Sequence, residues 1–114
     1  MISESLSGDG KITVPKRVTD YRKTLLESLT NPVEAAHYLE SALEDSDEMF
    51  LVALRDVAEA RQMSKVAEQA GVAREALYRM LREKGNPTYK SLASILEAVG
   101  LRLTVTPIES SQSK

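Results

Sequence analysis

The sequence predicts an all-α bundle closed by one short C-terminal strand, and three observations lead there. Leucine and alanine dominate the apolar residues, while aromatics are reduced to Phe50 and four tyrosines, a composition that favours helix. Between residues 20 and 99 apolar side chains recur at spacings of three and four, the period of amphipathic helices. Only Leu101-Arg102-Leu103-Thr104-Val105-Thr106 alternates apolar and polar at the period of a half-buried strand, and Pro107 stops it.

Taken in order, residues 1–10 are polar and rich in Gly and Ser, with too little apolar surface to offset ordering entropy, and read as a mobile tail. Lys11-Ile12-Thr13-Val14, closed by Pro15, suits a brief edge strand. Asp20 to Leu29 reads as a short helix capped by Thr19 or Asp20, with Leu25, Leu26 and Leu29 on one face. Asn31 is a good N-cap for the next helix, and Pro32 suits its first position. Val33, Ala36, Leu39 and Leu43 form that helix's expected inner stripe. Asp47 is expected to cap a third helix, whose stripe is Leu51, Leu54, Val57 and Ala58. Ser64 caps a short helix ended by Gly71, and another follows from Arg74 to Arg82. After Gly85-Asn86-Pro87, Thr88 caps a last helix with Leu92, Ile95, Leu96 and Val99 inside, stopped by Gly100.

Composition excludes several functions before any motif is read. There is no cysteine and a single histidine, His37, so thiolate chemistry and multi-histidine metal cages are out. Serines and threonines have no paired base, which argues against an enzyme. No apolar run is long enough to span a bilayer, and no secretory leader is recognisable. A soluble intracellular protein is the expectation.

The net charge of −2 hides a strong asymmetry. Residues 27–60 carry nine acids against Arg55, a net −8, whereas residues 61–90 carry seven bases against three acids, a net +4. The basic middle coincides with the most informative segment, Met63 to Arg82. Two short helices flank a turn containing Gly71, with Val66, Ala67, Ala70, Val72, Ala76, Leu77 and Leu81 apolar, which is the helix-turn-helix pattern. Ala67 lets the helices approach, Gly71 supplies a left-handed turn and Val72 plugs the corner. Arg74, Glu75, Tyr78 and Arg79 then fall on the outer face of the second helix, where such groups read base edges in a major groove. Ser64, Lys65, Arg82, Lys84, Asn86, Thr88 and Lys90 suit phosphate contacts around it. The same pattern also arises in ordinary helical hairpins, with its bases merely solvated.

Residues 63–82 resemble the helix-turn-helix of the lambda-repressor/Cro class, also called Xre-type regulators. The wider stretch from about Pro32 to Val105 is similar to the addiction-module antidote (antitoxin) proteins of bacteria and prophages. That resemblance rests on PVEAAHYLESALEDSD, LRDVAEARQMSKVAEQAGVAREALYRML and GNPTYKSLASILEAVGLRLTV. It implies a lambda-repressor/Cro-like bundle with extra N-terminal helices in a cytoplasmic, often dimeric protein that needs no cofactor. Such a protein binds a double-stranded DNA operator, represses its own operon and neutralises a small basic toxin encoded beside it. Ala73 departs from the pattern, which commonly has Ser there, and so removes one cap or phosphate contact.

The expected organisation is a flexible extension over residues 1–18 that could pair as a short strand, helices over 19–46, the DNA-binding domain over 47–107, and a disordered tail over 108–114. His37 reads as a half-buried structural histidine, and the acidic run 44–48 as helix-end charge rather than a metal loop. A lone strand must pair with something, so Leu101, Leu103 and Val105 are expected at a homodimer interface. The competing function is a protein-interaction module that neutralises a toxin with little DNA binding of its own.

Overall fold

The computed structural model describes residues 14–82 and 84–108. Six helices account for its regular structure: α1 (Val14–Leu29), α2 (Pro32–Asp45), α3 (Asp47–Ala60), α4 (Met63–Ala70), α5 (Arg74–Met80) and α6 (Tyr89–Ala98). α1 and α2 both pack on α3, which in turn meets α4; α4 carries α5 on one side and α6 on another. One continuous core runs from Leu29 to Val99, and Leu54, Val57, Ala58, Leu77, Leu81, Ile95 and Val99 are wholly shut off from water.

Local chemistry sets most boundaries. The Asn31 side chain accepts hydrogen bonds from the Val33 and Glu34 amides at 2.8 and 3.4 Å, and Pro32 follows as the first helical residue. Ser46 serves two helices at once: its amide donates to the Ala42 carbonyl, closing α2, while its hydroxyl accepts from the Met49 amide at 3.0 Å, opening α3. Ser46 therefore takes the capping role expected of Asp47, which sits with Glu48 in the first turn, where acids suit the helix dipole. Gly71 ends α4 at φ 76° and ψ 30°, in the left-handed region that favours glycine. Thr88 caps α6 through the Ser91 amide, as expected.

Other expectations need correction. α1 begins at Val14, so Pro15 lies in a first turn, where a missing N–H is harmless, instead of terminating a strand. Thr19 and Asp20 consequently lie within the helix, and Val14–Val18 belong to it rather than to a flexible extension; residues 11–13 lie outside the described residues. The inner stripe of α2 is displaced: Ala35 and Leu39 are buried, while Val33 and Leu43 are 62% and 53% exposed. Alanine marks the place where α2 can approach α3 closely, and the larger aliphatics misled the phase. His37, expected to be half-buried, is exposed for the same reason. Among the described residues there is no strand, and Leu101, Leu103 and Val105 carry no ladder. A six-residue alternating segment has no neighbouring strand to pair with inside one copy of this bundle, so its pattern alone cannot produce a sheet.

The face assignment is directly testable. Leu39→Ala is expected to lower the unfolding free energy by about 2–5 kcal/mol, the usual cost of emptying a core site. Leu43→Ala should cost less than about 0.5 kcal/mol, as at an exposed position. Urea denaturation of the two variants distinguishes this packing from the stripe of Val33, Ala36, Leu39 and Leu43, which makes the costs comparable.

Candidate nucleic-acid interface

α4 and α5 are joined by the three residues Gly71, Val72 and Ala73. Val66 and Ala67 of α4 and Leu77 of α5 are buried together with Leu81, and half-buried Val72 fills the corner between the helices. The Val72 amide donates to the Ala67 carbonyl at 3.0 Å, pinning the turn. Ala73 opens α5 without any side-chain cap bond, as its methyl group dictates. With Leu77 anchored at 0% exposure, Glu75 and Arg79 stand in solvent on the opposite face, and Arg74 is exposed in the first turn beside Tyr78.

Tyr78 does not share that exposure. Its half-buried ring packs against the core, with the Arg55 guanidinium 5.5 Å and the Arg74 guanidinium 5.6 Å from its centroid, within cation–π range. Arg55 belongs to α3 and was missed by sequence reasoning; its one signal was being the lone base in the acidic half. Its Nε lies 3.4 Å from Glu59, which also accepts from Arg22 of α1. Arg22 donates to Asp56 as well, at 3.0 Å, and the Tyr38 hydroxyl of α2 donates to the other Asp56 oxygen at 2.7 Å. The bond to Asp56 raises the Arg22 guanidinium above its ordinary pKa despite partial desolvation. Burial, then the same carboxylate, pushes the Tyr38 phenol up to about 12.

The phosphate candidates form two groups. Ser64 and Lys65 are exposed in the first turn of α4, but Ser64 does not cap it: Gln62 is the N-cap residue, with no side-chain bond. Lys65 lines a cleft with Ala98, so this group sits beside the end of α6. Arg82, Lys84, Asn86, Thr88 and Lys90 are exposed around the start of α6, about 15 Å away along a helix of that length. The Thr88 hydroxyl is already committed to its cap, accepting from the Ser91 amide and donating to the Ser91 hydroxyl, both at 3.1 Å. Leu101 packs onto the core, whereas Leu103 is 37% and Val105 96% exposed. Leu103 also lines an apolar cleft with Leu39, Leu43, Phe50 and Leu101. On the acidic half, Glu27, Glu34, Glu40, Glu44, Asp45, Asp47 and Glu48 are all exposed. No helix among the described residues is long and apolar enough to cross a membrane.

These features define a small helical protein with a short, externally charged helix held on a second, half-buried helix. Residues 21–107 match the family described as "probable addiction module antidote protein", and the chain belongs to that family. An uncharacterized protein of Haemophilus influenzae is 42% identical over 80 residues, which cover 69% of this chain and 82% of that one. No solved structure matches the chain.

The Tyr38 phenol gives a pH signature. A folded-state pKa near 12 against an ordinary 10.0 means that the native state holds this proton more tightly than the unfolded chain does. Its stabilisation is therefore complete below pH 10 and is lost as pH rises from about 10 to 12. Tyr38→Phe should flatten that part of the urea-midpoint profile relative to wild type, and parallel profiles count against the Asp56 bond.

Proposed function

We propose that this antidote-family protein is a DNA-binding antitoxin. As a homodimer it grips a double-stranded operator through α5, represses its own operon, and counters a small basic toxin. The helix-turn-helix reading of α4 and α5, of lambda-repressor/Cro type, is part of this proposal. The observation that carries it is the presentation of Arg74, Glu75 and Arg79 to solvent by a helix whose Leu77 is fully buried. Arginine bridges guanine O6 and N7, and glutamate accepts from cytosine N4, so this face has the chemistry of base readout. Tyr78, wedged between two guanidinium groups, is better suited to orienting Arg74 than to reaching a base. Exposed Lys65, Arg82, Lys84 and Lys90, with Ser64 and Asn86, supply phosphate contacts.

A dimer matches this role, because two such helices must meet major grooves about 34 Å apart. The apolar surface around Leu43, Leu103 and Val105 favours self-association. The exposed acids of α2 and α3 support the second reading, a module whose main work is to hold a basic toxin. DNA binding implies affinity that falls steeply with salt; the interaction module implies a stable complex with a basic protein and little salt-dependent duplex binding.

Titrating duplex from the region upstream of this chain's own gene, against random duplex, tests the assignment. Arg79→Ala is expected to weaken cognate binding by about 1–3 kcal/mol and narrow the cognate-to-random ratio. Lys84→Ala should weaken both duplexes alike and flatten the salt slope. An unchanged ratio in Arg79→Ala removes the base-reading role. Leu103→Lys should yield monomers in sedimentation with helical content intact, and a variant that stays dimeric rules this surface out.

A further inference from the structure

We infer that Arg55 is a positioning residue of the α5 reading face, held against Tyr78 by an ionic ladder that begins at Arg22 in α1. The inference rests on the DNA-binding reading and extends it to three helices that lie outside α4 and α5.

The ladder crosses four helices. Tyr38 of α2 and Arg22 of α1 meet on Asp56; Arg22 also meets Glu59; Glu59 holds Arg55; and Arg55 and Arg74 both lie near the Tyr78 ring. Two guanidinium groups near one ring repel each other, so the arrangement needs a compensating anion. Glu59 supplies it for Arg55. Glu59 and Asp56 would in turn repel each other on one face of α3, and Arg22 bridges the pair. Take Arg22 away, and two carboxylates are left to share Arg55, which is drawn along α3 and off the ring. Tyr78 then loses one of its two cations, and Arg74, which leans on the same ring, loses its fixed direction. Arg55 is thus tied to both Glu59 and Tyr78, which distinguishes it from Lys84 or Arg79, whose heads stand in solvent.

Two measurements test this independently. In the free protein, ring NMR signals of Tyr78 should move in both Arg55→Met and Arg22→Gln, although Arg22 does not touch that ring; Arg22→Lys should restore them in part. Unmoved Tyr78 signals in Arg22→Gln overturn the ladder whatever DNA does. On duplex from the upstream region, Arg55→Met should lower the cognate-to-random ratio about threefold to tenfold, the scale of a partly exposed cation–π contact. Its salt slope should stay at the wild-type value, since no phosphate contact is lost, and Arg55→Lys should recover much of the ratio. A slope reduced by about one identifies Arg55 as a phosphate ligand instead and overturns the positioning role. An unchanged ratio in Arg55→Met, with Arg79→Ala still impaired, also overturns it, whereas a wild-type protein without duplex preference refutes the DNA-binding reading itself.

Discussion

The rest of the molecule depends on α3 having two incompatible faces. On one side Leu54, Val57 and Ala58 are fully buried with Leu51 and Ala53, and each large aliphatic contributes on the order of 1.5–3 kcal/mol by leaving water. On the other side Arg55, Asp56 and Glu59 are tied into a polar network. A helix with both faces engaged cannot rotate without breaking one set of contacts. That fixed rotation sets where α1 and α2 dock and, through α4, where α5 ends up.

A second constraint sits at the far end of α3. The Arg61 guanidinium donates to the Thr30 carbonyl at 3.1 Å, just past the end of α1, and lies under Gly100, just past the end of α6. A Cβ at Gly100 would meet the nearer guanidinium nitrogen at 3.5 Å, an ordinary contact, so it is the backbone φ of +86° that calls for glycine there. Three helix C-termini, each carrying partial negative charge, converge on one cation. The Arg61 Nε is nevertheless buried with no hydrogen-bond partner among the described residues. The favourable placement of this charge therefore comes with an unpaired donor, a cost that the surrounding dipoles offset.

Much of this was legible in the chain. The α3 stripe, the Asn31-Pro32 and Thr88 starts and the Gly71 and Gly100 stops all announce themselves through local rules, and local rules govern helix ends. The phase of α2 was not legible, because alanines at a close helix crossing carry less hydrophobic signal than the leucine and valine left outside. The alternation at residues 101–106 was real as a pattern, yet a strand exists only with a neighbour. At the candidate interface, the exposure of Arg74, Glu75 and Arg79 was legible from helical geometry alone. The half-burial of Tyr78 was not, since it comes from packing against a core built from distant segments, and its neighbour Arg55 sits in an acidic run whose overall sign suggested nothing cationic.

Gln62, the residue between Arg61 and α4, has φ 73° and ψ 111°, a left-handed conformation that a side chain adopts reluctantly. Its carbonyl accepts from both the Lys65 and Val66 amides, so the strain is locked in by the first turn of α4. The linkage between α3 and α4 is therefore pinned by backbone hydrogen bonds in a conformation few side chains adopt, and is poorly suited to being cut, lengthened or permuted. An engineer splitting this protein into complementing fragments would do better at Gly85-Asn86-Pro87, where no helix is under way, than at the shorter and superficially similar joint at Gln62. A swing of α4 about that corner would have to break the two hydrogen bonds that the Gln62 carbonyl accepts in the first turn of α4.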